Sequence, residues 1–218
     1  MGFLGVLMLD TRFPRPHGDV GCVSSFEMPV RHRVVAGASP RRVVQEADAA
    51  LLVPFIEAGR ALVDEGARAL TTSCGFLVRW QAELQAALPV PVWTSSLLVL
   101  DELRPARPGV LTVDATALDG EVLRAAGAQP DQAVQGIDPR SALAMTLLQD
   151  RAELDEVAAG QTMAEATRAL CARHPGLGAI VLECTNMPPY REIVRREAGL
   201  PVHDLLTMVH ERWQTLRR

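Results

Sequence analysis

The sequence predicts an α/β protein made of two pseudo-twofold-related, Rossmann-like lobes. Each lobe carries a short, mostly parallel sheet, and the two face each other across a cleft. Three observations carry this. Short apolar runs alternate with helix-patterned segments along the whole chain, the pattern of parallel sheets covered by helices on both faces. The chain repeats itself at close to half its length: GVLMLDT from Gly5 returns as GVLTVDAT from Gly109, ALTTSCG from Ala69 as AIVLECT from Ala179, and LPVPV from Leu88 as LPV from Leu200. At 218 residues and 48% apolar composition, the chain suffices for one large core or two smaller lobes with a shared interface. The repeat places the first lobe at residues 1–97 plus the C-terminal helix 204–218, and the second at 98–203.

Taken in order, Gly5–Leu9 reads as a buried strand. Asp10–Pro29 is rich in Pro, Gly and Arg and long for a structureless loop, so it is expected to lie over the cleft as a lid. Val30–Val35 alternates apolar and charged residues like an edge strand. Ser39 and Pro40 supply the cap and first turn of a helix running toward Gly66, with a break at Pro54. Further strands are expected at Arg68–Ser73, Val90–Trp93, Gly109–Val113, Gly178–Leu182 and Val202. Helices are expected at Gly75–Leu88, Ser95–Leu103, Leu118–Ala126, Ala142–Gln149, Ala152–Ala159, Thr162–His174, Pro188–Ala198 and Asp204–Leu216.

Composition removes several function classes. A net charge of −4 offers no concentrated basic face for nucleic acid. No apolar run approaches the ~20 residues of a membrane helix, and a cytoplasmic protein without a signal segment is expected. All 22 basic residues are arginine. Without lysine there is no Schiff-base anchor for pyridoxal phosphate and no P-loop. Four cysteines are too few for a disulfide scaffold, and no CxxC or HxxxH pairing suggests a metal, so no metal is expected.

Cys74 and Cys184 occupy the same place in the two halves, each after an apolar strand and before a helical segment. In parallel α/β sheets the ligand crevice lies beyond the carboxyl ends of the strands. A thiol there is expected near a helix N-terminus, whose N–H groups favour the thiolate and bind anions. Cys171 reads as a core residue of a helix and Cys22 as a loop thiol. Glu183 is an uncommon residue at the end of an apolar strand, readable either as a partner of its cysteine or as a solvent-facing side chain.

The segments LGVLMLDTR, TTSCGF and LECTNMPPY resemble the aspartate/glutamate racemase superfamily. That group includes hydantoin racemases, arylmalonate decarboxylases and maleate isomerases. The resemblance implies a cofactor-independent isomerase of an amino acid or related small carboxylate, cytoplasmic and commonly dimeric. One cysteine removes the α-proton and the other returns a proton from the opposite face. It also implies substrate contacts. Asp10 and Thr11 match an Asp-Ser pair after the first strand. Ser73, Gly75 and Phe76 surround the first cysteine, where many relatives carry Asn-Thr. Thr185 and Asn186 follow the second, with Asn186 in place of a histidine. Arg12 and Arg15, in the long loop, are candidates for a second carboxylate. Phe76 points to a partly apolar pocket and keeps a decarboxylase-like lyase open, beside a cis–trans isomerase and a non-catalytic two-lobed binder. Glu183, as a like charge beside Cys184, is expected to make Cys74 the resting thiolate and Cys184 the resting acid.

Overall fold

A strand buried along its full length needs cover on both faces, and the central strands here are of that kind. In the computed structural model, which describes residues 2–216, all seven residues of β1 (Phe3–Leu9) are buried. β1 lies between β2 (Val30–Val35) and β3 (Ala67–Thr72), and β4 (Val92–Trp93) completes a parallel sheet of order β2-β1-β3-β4. A second parallel sheet holds β5 (Pro108–Thr112), β6 (Ala133–Gly136), β7 (Ala179–Leu182) and β8 (Val202–His203) in the order β6-β5-β7-β8. The order is the same in both halves. The internal repeat is therefore a repeat of topology, and the protein is a two-lobed α/β fold.

Seven α-helices occur among the described residues: α1 (Leu52–Asp64), α2 (Gln81–Ala87), α3 (Gly120–Ala125), α4 (Ala142–Leu148), α5 (Glu156–Arg173), α6 (Arg191–Ala198) and α7 (Leu205–Leu216). Local chemistry sets their ends. Asp119, Ser141 and Asp155 each accept hydrogen bonds from first-turn N–H groups of α3, α4 and α5. Asp204 is fully buried, pairs with Arg191, and accepts from the Thr207 N–H at 3.0 Å in the first turn of α7.

Several boundaries differ from the sequence reading. The helix expected from Ser39 is a single π turn over Arg41–Gln45, a left-handed Ala47, and a 3-10 turn over Ala49–Leu51 capped by Asp48. Only then does α1 begin. Pro54 does not break it, because it sits in the first turn, where its missing N–H has no intrahelical partner to lose. Gly75–Trp80 is 3-10 and precedes α2. Ser95–Leu103 holds only a 3-10 turn over Ser96–Val99. The two helices expected between 152 and 174 are one, α5. Gly160 lies inside it, where a Cβ would strike Ile193 of α6. β6 was not expected, since AVQG is a half-exposed edge strand without clear alternation.

In α1, Phe55 is fully buried and its ring lies 6.0 Å from that of Trp80. Phe55→Ala is expected to destabilise the fold by about 3–5 kcal/mol through lost burial and a residual cavity. The check is a lowered urea midpoint at unchanged slope.

Candidate active site

Each half turns its chain in the same way after its third strand. After β3, the Ser73 N–H donates to the Leu7 carbonyl at 3.0 Å and the Leu77 N–H to the Cys74 carbonyl at 3.1 Å. After β7, the Glu183 N–H donates to Leu111 at 2.9 Å and the Met187 N–H to Cys184 at 3.0 Å. Cys74 and Cys184 therefore start equivalent tight turns at the carboxyl ends of equivalent strands. Hydroxyls fix these ends. Thr72 Oγ1 donates to the Thr94 carbonyl at 2.7 Å. Thr185 Oγ1 reaches the Ser73 carbonyl at 2.6 Å, and Ser96 Oγ reaches Leu182 at 2.6 Å. The last two bonds hold the strand ends of one sheet to the other half of the chain.

Both thiols are free, buried and open to one cavity of about 30 Å³. Its polar lining comes from Ser73, Glu183, Thr185 and Asn186, and its apolar lining from Leu9, Phe13, Val44, Phe76, Val113, Leu147 and Leu148. The space suits a water molecule or two rather than an organic acid. A larger recess of about 530 Å³, lined by Arg104, Arg107 and Arg173 among others, contains neither thiol.

The Asp10–Pro29 segment covers the cavity. Phe13 lines it, and the Val20 N–H donates to the Thr185 carbonyl at 3.2 Å. Asp19 is buried and anchors the segment. It accepts from Arg15 Nη1 at 3.0 Å, from the Gly21 N–H at 2.6 Å and from Asn186 Nδ2 at 2.5 Å. Asn186 Oδ1 in turn accepts from Cys184 Sγ at 3.4 Å. A continuous polar chain thus runs from Arg15 to one thiol.

Of the residues singled out from sequence, Ser73, Cys74, Gly75, Phe76, Cys184, Thr185 and Asn186 come together here. Asp10, Thr11 and Arg12 do not line the cavity. Asp10 accepts from the Gly37 N–H at 3.0 Å, and Thr11 accepts from Arg15. Arg12 has a 79% exposed side chain paired with Asp150 just after α4, so it straps the loop down from outside. Arg15, stacked 4.6 Å from the centre of the Phe13 ring, is the half-buried arginine nearer the site, and Asp19 occupies it. Sequence reasoning missed Asp19, Phe13, Thr112, Leu147 and Leu148. Thr112 had a signal, since it stands where the first repeat has Met8, a hydroxyl inside an otherwise apolar strand. The α4 leucines had none.

Burial dominates the electrostatics. It pushes the Cys74 thiol up to about 12, with the Glu183 carboxylate adding to the rise and the Phe76 N–H opposing it. Cys184 is raised well above the ordinary range, again by burial first and Glu183 second, against the Asn186 N–H. The expectation that helix N-termini lower these thiols is corrected, since one N–H each does not offset full desolvation. The expectation that Cys74 rests as the thiolate beside an acid Cys184 is corrected too, because burial and Glu183 raise both thiols. Glu183 itself is fully buried and pushed up to about 8 by desolvation, with Asp114 adding and the Thr112 hydrogen bond opposing.

That last shift has a sign. The native carboxyl keeps its proton to about pH 8, whereas the unfolded one loses it near 4.5. The associated stability is fully present below pH 4.5 and is lost as pH rises through 8. Its full extent is on the order of 4–5 kcal/mol. Glu183→Gln is expected to flatten this part of the stability profile, measured by urea unfolding at closely spaced pH values.

Comparison with known proteins agrees with this architecture. The chain is 30% identical over 227 aligned positions to a dimethylsulfoniopropionate lyase of Durusdinium sp. clade D, covering 93% of this chain and 71% of that protein. It is 30% identical to dimethylsulfoniopropionate lyase 3 of Emiliania huxleyi, covering 94% of this chain and 57% of that one. Among solved structures, allantoin racemase from Klebsiella pneumoniae superposes with a TM-score of 0.68 at 17% identity, covering 99% of this chain and 87% of that one. Unliganded arylmalonate decarboxylase gives 0.59 at 17%, covering 93% and 86%. A family model described as Asp/Glu/hydantoin racemase matches residues 45–211, and the chain belongs to that family.

Proposed function

We infer that this protein is a cofactor-independent enzyme that removes the proton next to the carboxylate of a small acid with a cysteine thiolate, and that it acts as a lyase. The observation that carries the reading is the pair of buried thiols at equivalent strand ends in one cavity. A thiol is the side chain here able to become a strong, soft base in an apolar enclosure. Among the described residues no arginine lines the cavity, which favours a monocarboxylate over a diacid such as aspartate or glutamate.

The curated relatives supply the leaving-group chemistry. In a β-substituted propionate such as dimethylsulfoniopropionate, the thiolate takes the α-proton. The C–H electron pair becomes the C=C bond, and the C–S bond breaks to release dimethyl sulfide and acrylate. Backbone N–H groups of the two turns are the donors for charge building on the carboxylate. The closed cavity is smaller than such a substrate, so the Asp10–Pro29 segment acts as a lid that opens for entry and shuts out water.

Racemisation is the second reading, favoured by the presence of two thiols where an elimination needs one base. The expected outcomes separate them. With dimethylsulfoniopropionate, a lyase releases dimethyl sulfide and acrylate, read by headspace gas chromatography. One of Cys74→Ser and Cys184→Ser then lowers kcat about 100-fold or more, and the other less. A racemase releases neither product, incorporates solvent deuterium at the α-carbon of both enantiomers of its substrate, and loses full turnover with either substitution.

A further inference from the structure

The larger recess, of about 530 Å³, lies away from the thiols. Pro108 and Ala133, which begin β5 and β6, line it, so it sits at the amino ends of the second sheet. The thiols follow the carboxyl ends of β3 and β7. The recess is therefore separate from the catalytic crevice, and its volume falls within the range of small-molecule sites. Its floor is fixed. Gln132 Nε2 donates to the carbonyls of both Pro108 and Ala133, and Leu100 beside them is buried.

The rim is basic. Arg104, Arg107 and Arg173 line the recess with one carboxylate, Asp131. Arg104 is paired with Asp101. Arg107 and Arg173 enter none of the ion pairs among the described residues. Arg107 has a left-handed backbone, with φ of 49°, which is uncommon for a residue with a side chain. Its guanidinium lies over the turn after α5: a Cβ on Gly176 would meet Nη1 at 3.2 Å. Arg173 is the last residue of α5 and opens that same turn.

The first half contains the neutralised counterpart. Gly66 and Gly176 are related by the same spacing as Ala69 and Ala179, and both are left-handed, with φ of 101° and 88°. Asp64 and Glu65 precede Gly66, and Glu65 pairs with Arg31 and Arg33. Arg173 and His174 precede Gly176, and of the acids only Asp131 lines the recess there. Two unneutralised guanidiniums held at one concave surface repel each other and raise the local potential for an anion, on a chain whose net charge is −4.

We propose that this recess binds a small organic phosphate, with its anionic oxygens on Arg107 and Arg173 and its organic body on the floor of Leu100, Ala133 and Leu177. A guanidinium presents a planar fork that meets two phosphate oxygens at once, and it does so without any change of protonation. The apolar floor selects an ester over the bare anion.

The test is calorimetric titration of the whole chain at low ionic strength, without phosphate buffer. The probes are ADP, fructose 1,6-bisphosphate and inorganic pyrophosphate. At least one ester is expected to bind with a Kd below about 1 mM. It is expected to bind about 10-fold or more tightly than pyrophosphate, which has the charge and no organic body. Failure of both esters to bind, or pyrophosphate matching the better ester, overturns the proposal. Arg107→Gln/Arg173→Gln is expected to weaken the ester about 10-fold or more. Arg140→Gln/Arg195→Gln removes the same charge from exposed positions outside the recess and is expected to cost about twofold or less. Equal weakening by the two pairs means nonspecific attraction and overturns the proposal. Asp131→Asn removes the one carboxylate lining the recess and is expected to tighten binding about two- to threefold. Unchanged or weakened affinity in that variant overturns the proposal even if the arginine pair fails to fold. Neither the thiols nor any turnover enters these readings, so they stand apart from the lyase reading.

Discussion

Three ionisable groups, two thiols and a carboxyl, share one buried cavity that tolerates little charge. In such a setting a single negative charge costs several kcal/mol to desolvate, and a second close by is opposed by strong Coulomb repulsion. This constraint orders the rest of the site. It holds both thiols neutral in the resting protein and Glu183 protonated at neutral pH. The arginines near the site relieve it only in small part: Arg15 and Arg79 favour the Cys74 thiolate, but burial and Glu183 outweigh them. Arg15 is paired with Asp19, and Arg12 lies outside with Asp150. Any negative charge formed in the cavity is therefore best kept to one.

The fold meets that need by repeating one lobe and then breaking the repeat locally. Equivalent strand order and equivalent turns bring Cys74 and Cys184 to one cavity from opposite sheets. Within that frame, Ser73 faces Glu183 in the alignment of halves, Met8 faces Thr112, and Gly75 faces Thr185. These departures interlock. Thr112 bonds Oε2 of the carboxyl, Gly75 makes room for its Oε1, and Thr185 ties its own turn to Ser73. A duplicated scaffold supplies the symmetry of two thiols, and a few substitutions make the thiols' surroundings unequal.

How much of this was legible in the sequence follows the range of the physics involved. The two lobes, the central strands and the equivalence of the thiols were readable, because buried parallel strands are continuous apolar runs and the repeat preserves them. Helix starts at Asp119, Ser141 and Asp155 obey local capping rules; the helix expected from Ala142 starts there, whereas at Ser39 a π turn intervenes. The lining leucines Leu147 and Leu148 were not readable, since only the docking of α4 brings them to the cavity. Arg12 and Arg15 look alike in the sequence. Which one points inward depends on Asp150 and Asp19, and the first of these lies far along the chain. The sign of the thiol shifts was misread for the same reason: strand-end placement was visible, and the depth of burial was not.

The Asp10–Pro29 segment and the electrostatics of the cavity are linked. Asp19 is carried on the loop, yet its partner Asn186 accepts the Cys184 S–H, so the closed loop position and the hydrogen bonding of that thiol are set together. Were the loop to open, as the proposed lid role requires, Asp19 and Phe13 would withdraw, water would enter, and the desolvation that keeps both thiols neutral would fall. Closing would restore a dry cavity in which a charge on sulfur is least solvated and most basic. A thiolate that formed in the open state would be tame, solvated and exposed to oxidants or alkylating agents. One formed after closure would be shielded from both and least solvated.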